Sequence, residues 1–153
     1  MPNGRTHARI TKALALTGIP LLAGCALLED YVSWPSALSA SAGLMLGHLV
    51  TPDLDVDGVT YEERRAIRKA GCLLGWLWIA YWLPYAKLFH HRGASHWLGV
   101  GTLTRAVYLL GPVMLVIWLA FGAVPRIDWL ALLGGWGLQD TTHILMDWVF
   151  KGG

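Results

Sequence analysis

Residues 71–89 read GCLLGWLWIAYWLPYAKLF, and whether this stretch crosses a bilayer decides the fold. It is apolar throughout, yet it carries Trp76, Trp78, Tyr81, Trp82, Tyr85 and Phe89, and Pro84 breaks it. Aromatic rings with a polar handle collect where hydrocarbon meets headgroups, so the segment reads either as a span or as an interfacial, re-entrant piece. On either side of it lie clearer spans. Residues 10–28 are an apolar run interrupted only by Gly18 and Pro20, which membrane helices tolerate. Residues 36–51 are apolar and rich in small side chains (Ser36, Ser39, Ser41, Gly43, Gly47) that let helices approach closely in lipid. Residues 98–123 and 128–150 complete the set, the last with Gln139, Asp140, Thr141, Thr142, His143 and Asp147 in its second half.

Composition agrees with this reading. Of 153 residues, 55% are hydrophobic and only 14% charged, far from the balance of a soluble domain of this size. The chain is one integral membrane domain over residues 1–153. A net charge of +2 without a long basic run sets nucleic-acid binding aside. Cys25 and Cys72 stand alone, so neither a disulfide framework nor a thiolate zinc site is indicated. The basic start before residues 10–28, followed by Ala23-Gly24-Cys25, also describes a cleavable leader. A retained first helix explains more, because further apolar segments follow and His7 is kept.

The polar residues at the ends of these segments carry the chemistry. Imidazole and carboxylate are ligands for zinc, manganese and iron, and beside a bilayer they are costly unless paired or coordinated. His143 and Asp147 are four residues apart and share a helix face, where one metal accepts both. In an extended turn Asp53 and Asp55 share a side, and two neighbouring carboxylates repel unless a cation or proton sits between them. Asp57 fits a helix cap and is left as surface. His91 and His96 bracket a turn permitted by Gly93, with Ser95 placed to cap a helix beginning near Trp97. His7 precedes the first span. The candidate ligands are therefore His7, Asp53, Asp55, His91, His96, His143 and Asp147. His90 reads as a headgroup contact, while His48 is either a ligand or a polar group satisfied between helices.

Topology links these residues. With five spans, His91, His96, His143 and Asp147 lie across a hydrocarbon core of roughly 30 Å from His7, Asp53 and Asp55, too far for one site. With residues 71–89 in the interface there are four spans. All seven ligands then share one side with Arg5, Arg9, Lys12, Arg64, Arg65, Arg68, Lys69, Lys87, Arg92 and Lys151, which the positive-inside rule makes the cytoplasm. The expected fold is all-α, a bundle of four transmembrane helices plus an interfacial Trp-rich segment.

The order Gly4-Arg5-Thr6-His7, Pro52-Asp53-Leu54-Asp55, His91-Arg92-Gly93-Ala94-Ser95-His96 and His143 to Asp147 resembles a bacterial family of metal-binding membrane proteins, similar in pattern to the membrane-bound metal-dependent hydrolases. The resemblance covers nearly the whole chain and implies a metal site and hydrolysis. The late His-x-x-x-Asp element is also similar to one in zinc phospholipase C, but the second His-x-x-x-Glu helix of that pattern is missing, so one or two ions are expected rather than three.

The expected activity is hydrolysis of a phosphoester of a lipid or lipid-linked molecule at the cytoplasmic face of the inner membrane, with both termini on that side. Zinc is the first choice of metal, with manganese or iron as alternatives. Asp55 or Asp140 is placed to accept a proton, and Arg92 to stabilise charge on phosphoryl oxygens. Arg105 either holds an anionic oxygen or snorkels or pairs with Asp140. The alternative reading is a non-enzymatic scaffold or partner subunit with a structural metal. Metal transport fits less well, since no chain of polar residues leads through the bilayer. The lipid bilayer is the expected partner, and the small-residue faces suit homo-oligomers without defining a copy number.

Overall fold

The computed structural model describes residues 4–28, 31–55, 64, 67, 68, 71–89 and 97–149. Among them are five α-helices and no strand: α1 (Gly4–Leu27), α2 (Trp34–Leu49), α3 (Cys72–Leu88), α4 (Val100–Phe121) and α5 (Trp129–Val149), with a 3-10 turn at Pro52–Asp55. Among the described residues, two helical stretches are long and apolar enough to cross a membrane, Ala8–Leu27 in α1 and the whole of α4. The expected count of four is not reached. The 16 residues of α2 extend only about 24 Å, short of a hydrocarbon core of about 30 Å. In α5 the 21 residues are long enough, but the second half is polar.

Local sequence explains where the helices begin and end. Ser33 caps α2, its hydroxyl accepting from the Ser36 amide, and Pro35 sits in the first turn where no amide is missed. Asp128 caps α5, Oδ1 accepting from the Ala131 amide at 3.0 Å. Its Oδ2 accepts from Ser36 Oγ at 2.6 Å, and its own amide donates to Ser39 Oγ at 3.2 Å. One aspartate thus starts α5 and ties it to the beginning of α2. Gly122 ends α4 in the left-handed conformation at φ 68°, donating its amide to the Trp118 carbonyl. At the other end α4 begins after Gly99 without a side-chain cap, so the expected cap at Ser95, outside the described residues, does not set its start.

Two helices form the centre. α2 and α5 run side by side in the same direction, from the Ser36–Asp128 contact at one end to Asp53 and His143 at the other. Their backbones approach so closely that a Cβ on Gly43 would overlap the Leu132 carbonyl oxygen, and one on Gly135 the Ala40 carbonyl oxygen. A Cβ on Gly47 would meet the Gln139 side chain. Gly43 and Gly47 form the small-x-x-x-small spacing by which helices associate in lipid. α1 packs on α2 with Gly18 against Leu44, its N-terminal half level with the end of α2.

The Trp-rich stretch is one continuous helix, α3, which carries Pro84 inside it rather than breaking there. It lies antiparallel to α4. Tyr81 Oη donates to the Tyr108 carbonyl and Tyr108 Oη to the Tyr81 carbonyl, each at 2.7 Å, and Tyr85 Oη is 3.0 Å from Thr104 Oγ1. Two of its aromatic residues face the interior. Trp82 and Tyr85 are buried, packed edge to face, in a core with Val50, Leu54, Ala106, Leu132 and Trp136.

Gly43→Val should therefore lower the unfolding temperature in detergent sharply, because a helix backbone cannot move aside as a side chain can. Gly111 meets nothing within 4 Å of a built Cβ, and Gly111→Ala should leave stability unchanged or raise it by about 0.5–1 kcal/mol. The Ser36 hydroxyl, then the Ala131 amide, hold the Asp128 carboxyl below its usual range. A carboxylate with a lowered folded-state pKa stabilises fully above its unfolded value of about 4 and loses this as pH falls through the folded value. Ser36→Ala should consequently lower the unfolding temperature at pH 7, with the gap from wild type closing as pH is taken below about 4.

Candidate metal centre

The turn after α2 is where the first functional side chain is set. Val50 ends the helix by donating its amide to the Leu46 carbonyl, and the chain turns through Pro52–Asp55. This is a 3-10 turn rather than the extended one expected. Leu54 is buried in the core beside Trp82 and Tyr85, which pins the turn. Asp53 carries a side chain 34% exposed, so it stands at the edge of the packed interior.

His143 comes to it from α5. The imidazole is buried, 2% exposed, and its Nε2 lies 3.3 Å from Asp53 Oδ1. A charge-assisted hydrogen bond is shorter, about 2.7–2.9 Å. Two ligands on a tetrahedral ion with bonds of about 2.0–2.1 Å stand about 3.3–3.4 Å apart. The donor types, one imidazole nitrogen and one carboxylate oxygen, are ones that a divalent transition metal accepts.

The turn of α5 before His143 is locked by Gln139. Its Nε2 donates to the Thr11 carbonyl at 2.9 Å and the Leu44 carbonyl at 3.2 Å, joining α1, α2 and α5 at one level. There the Thr11 hydroxyl is 3.0 Å from His48 Nδ1. Of the two readings open for His48, the partner seen among the described residues is this hydroxyl between helices. Thr11 and Gln139 were missed as organising residues. A glutamine in an apolar helix was a visible signal, whereas nothing near Thr11 in sequence points to α5.

The next residue, Asp140, faces α4. Its Oδ2 is 2.6 Å from Arg105 Nη2 and also accepts from the Thr102 hydroxyl. Arg105 is 0% exposed. Of the readings open for Arg105, the pairing with Asp140 is the one seen. Thr102, three residues before Arg105 and so on the same face of α4, completes the cluster. Asp140 is thus engaged by both a guanidinium and a hydroxyl of α4.

Three of the seven candidate ligands are described with their side chains: Asp53, His143 and Asp147. The first two meet. Asp147 lies one turn beyond His143, half-buried, and no group of three or more His, Cys, Asp or Glu placed to hold a metal is found among the described residues. His91, His96 and Arg92 lie outside the described residues, as do the side chains of His7 and Asp55.

A family model described as uncharacterized metal-binding protein (DUF2227) matches residues 2–130. The chain belongs to this family. The DUF2227 match takes in His7, Asp53, Asp55, His91, Arg92 and His96, and it ends before Asp140, His143 and Asp147. No curated protein and no solved structure matches the chain.

Removing one member of a buried ion pair leaves the other charge uncompensated, which costs about 3–5 kcal/mol. Arg105→Met should therefore destabilise the protein by that order in chemical unfolding. Replacing both charges by apolar side chains in Arg105→Met/Asp140→Leu should recover most of the loss.

Proposed function

We propose that this DUF2227 protein is a membrane-embedded metal-dependent hydrolase acting on a phosphoester of a lipid or lipid-linked substrate at the cytoplasmic face. The observation that carries the reading is the meeting of Asp53 and His143 at 3.3 Å, from two helices that start far apart in sequence and end together.

The surroundings of that pair support gathering the other ligands there. The N-terminal half of α1 is at this end, through Thr11 and His48, and His7 is one turn before Thr11 in the same helix. The segment bearing His91, Arg92 and His96 leaves from the end of α3 and returns at the start of α4. Those two helix ends are held together by Tyr85 and Thr104, and the start of α4 is held to α5 by Thr102 and Asp140. A membrane setting is supported by large apolar side chains left exposed along the outside of the bundle, among them Leu16, Leu21, Val116, Leu119 and Phe121. So much outward apolar surface is unfavourable in water and matched by hydrocarbon. Arg9, Lys12 and Lys87 stand toward the Asp53 end, which supports a cytoplasmic orientation.

When bound, a zinc-like ion supplies Lewis acidity and makes hydroxide accessible near neutral pH. Asp53 and His143 would hold it, with His7, His91, His96 and Asp147 as the further candidate donors. The engagement of Asp140 by Arg105 and Thr102 supports assigning proton acceptance to Asp55. Arg92 draws the anionic oxygens of the substrate toward the site. The partial exposure of Asp53 supports an open, catalytic site over a closed structural one.

Elemental analysis of detergent-purified protein tests the shared site. Wild type should carry a near-stoichiometric transition metal, lost in Asp53→Ala, His96→Ala and His143→Ala, and metal-loaded wild type should turn over phosphoester substrates that Asp53→Ala leaves intact. A wild type that takes up no zinc, manganese or iron overturns the metal site. Full metal occupancy without turnover overturns the hydrolase and leaves a structural metal in a scaffold.

A further inference from the structure

We infer that Asp140, held by Arg105 and Thr102, is a positioning residue whose free carboxylate oxygen fixes the His143 imidazole for metal binding. The inference rests on the reading of Asp53 and His143 as metal ligands.

A histidine that ligates through Nε2 is neutral and carries its proton on Nδ1, and that N–H calls for an acceptor that fixes the ring's tautomer and orientation. Inside a bundle this acceptor has to be built in, because water is scarce. Asp140 has the place and the valence for the task. It precedes His143 by three residues on α5, so the two side chains project from neighbouring positions on one face of the helix. Both are buried.

Its two oxygens are used unequally. Oδ2 accepts from both Arg105 Nη2 and the Thr102 hydroxyl, whereas Oδ1 is buried without a hydrogen-bond partner among the described residues. An arginine with a carboxylate ordinarily forms two parallel bonds, one to each oxygen. Here guanidinium and hydroxyl converge on a single oxygen, which leaves the other as a buried, negatively polarised acceptor. A buried acceptor left unmatched is costly and calls for an explanation. The imidazole N–H of a metal-holding His143 supplies one, and it also explains why α5 carries an acid at this depth with a dedicated cation on α4. Asp140 and His143 would then connect Arg105 in the interior to Asp53 at the edge, where His143 and Asp53 would hold the metal.

The experiment uses the full chain in detergent, with zinc and cobalt binding isotherms on wild type, Asp140→Asn and the charge-free Arg105→Met/Asp140→Leu. The double variant guards against loss of fold from an uncompensated Arg105. Both variants should keep the stoichiometry of wild type while binding metal roughly 10- to 100-fold more weakly. The His143 imidazole 15N resonances of the zinc-loaded protein should also move, a signature that looser packing alone would not give. Wild-type affinity in the folded double variant, with unmoved His143 resonances, overturns the inference and leaves the metal site standing. Failure of wild type to bind either metal overturns both.

Discussion

The close contact between α2 and α5 is the constraint on which everything else depends. Gly43, Gly47 and Gly135 remove the side chains that would separate the two backbones. Such contact, with the dispersion attraction it allows, holds the two helices together. Because the helices run in the same direction from a shared start at Ser36 and Asp128, their other ends arrive together. Asp53, just past the end of α2, and His143, near the end of α5, are brought to 3.3 Å by that geometry. Gln139 then uses the gap left by Gly47 to reach two carbonyls and hold the level at which the site begins.

Around this pair the remaining helices have distinct tasks. α1 adds Thr11, which bridges to His48 and Gln139. α4 adds Arg105 and Thr102, which fasten the polar half of α5 from the opposite side. A buried arginine and aspartate do little for stability in themselves, since the cost of removing two charges from water consumes most of their attraction. Their value is positional. They give α5 one defined rotation, and with it a defined direction for His143. α3 completes the interior through Trp82 and Tyr85, while its reciprocal tyrosine bonds to α4 fasten the two helices together.

Much of the fold was legible because apolar runs in a low-charge chain admit few structures other than helices. The helices starting at Trp34, Val100 and Trp129 lie within two residues of their expected limits, and the small residues of 36–51 do pack against a neighbour. The apolar run covers residues 10–28, whereas α1 begins at Gly4, because Arg9 and Lys12 are good helix formers that extend the helix beyond its apolar part. Pro84 was read as a break. A proline inside a helix removes one amide but leaves the rest of the ladder intact, and α3 continues through Pro84 to Leu88. Two stretches rather than four reach spanning length and apolarity among the described residues, because α2 is short and the second half of α5 is polar.

The sequence by itself determined the chemistry available: which carboxylates and imidazoles exist, that they sit at the ends of apolar helices, and that the chain is helical and metal-binding in kind. Residue type and period carry that information because they act locally. Only the tertiary structure decided which of those groups meet. The pairing of Asp53 with His143, the commitment of Asp140 to Arg105 and Thr102, and the bridging of Thr11, His48 and Gln139 all follow from the rotation and depth of one helix against another. That rotation is set by where three glycines let two backbones touch, and a contact between residues so distant in the chain leaves no local pattern from which to read it.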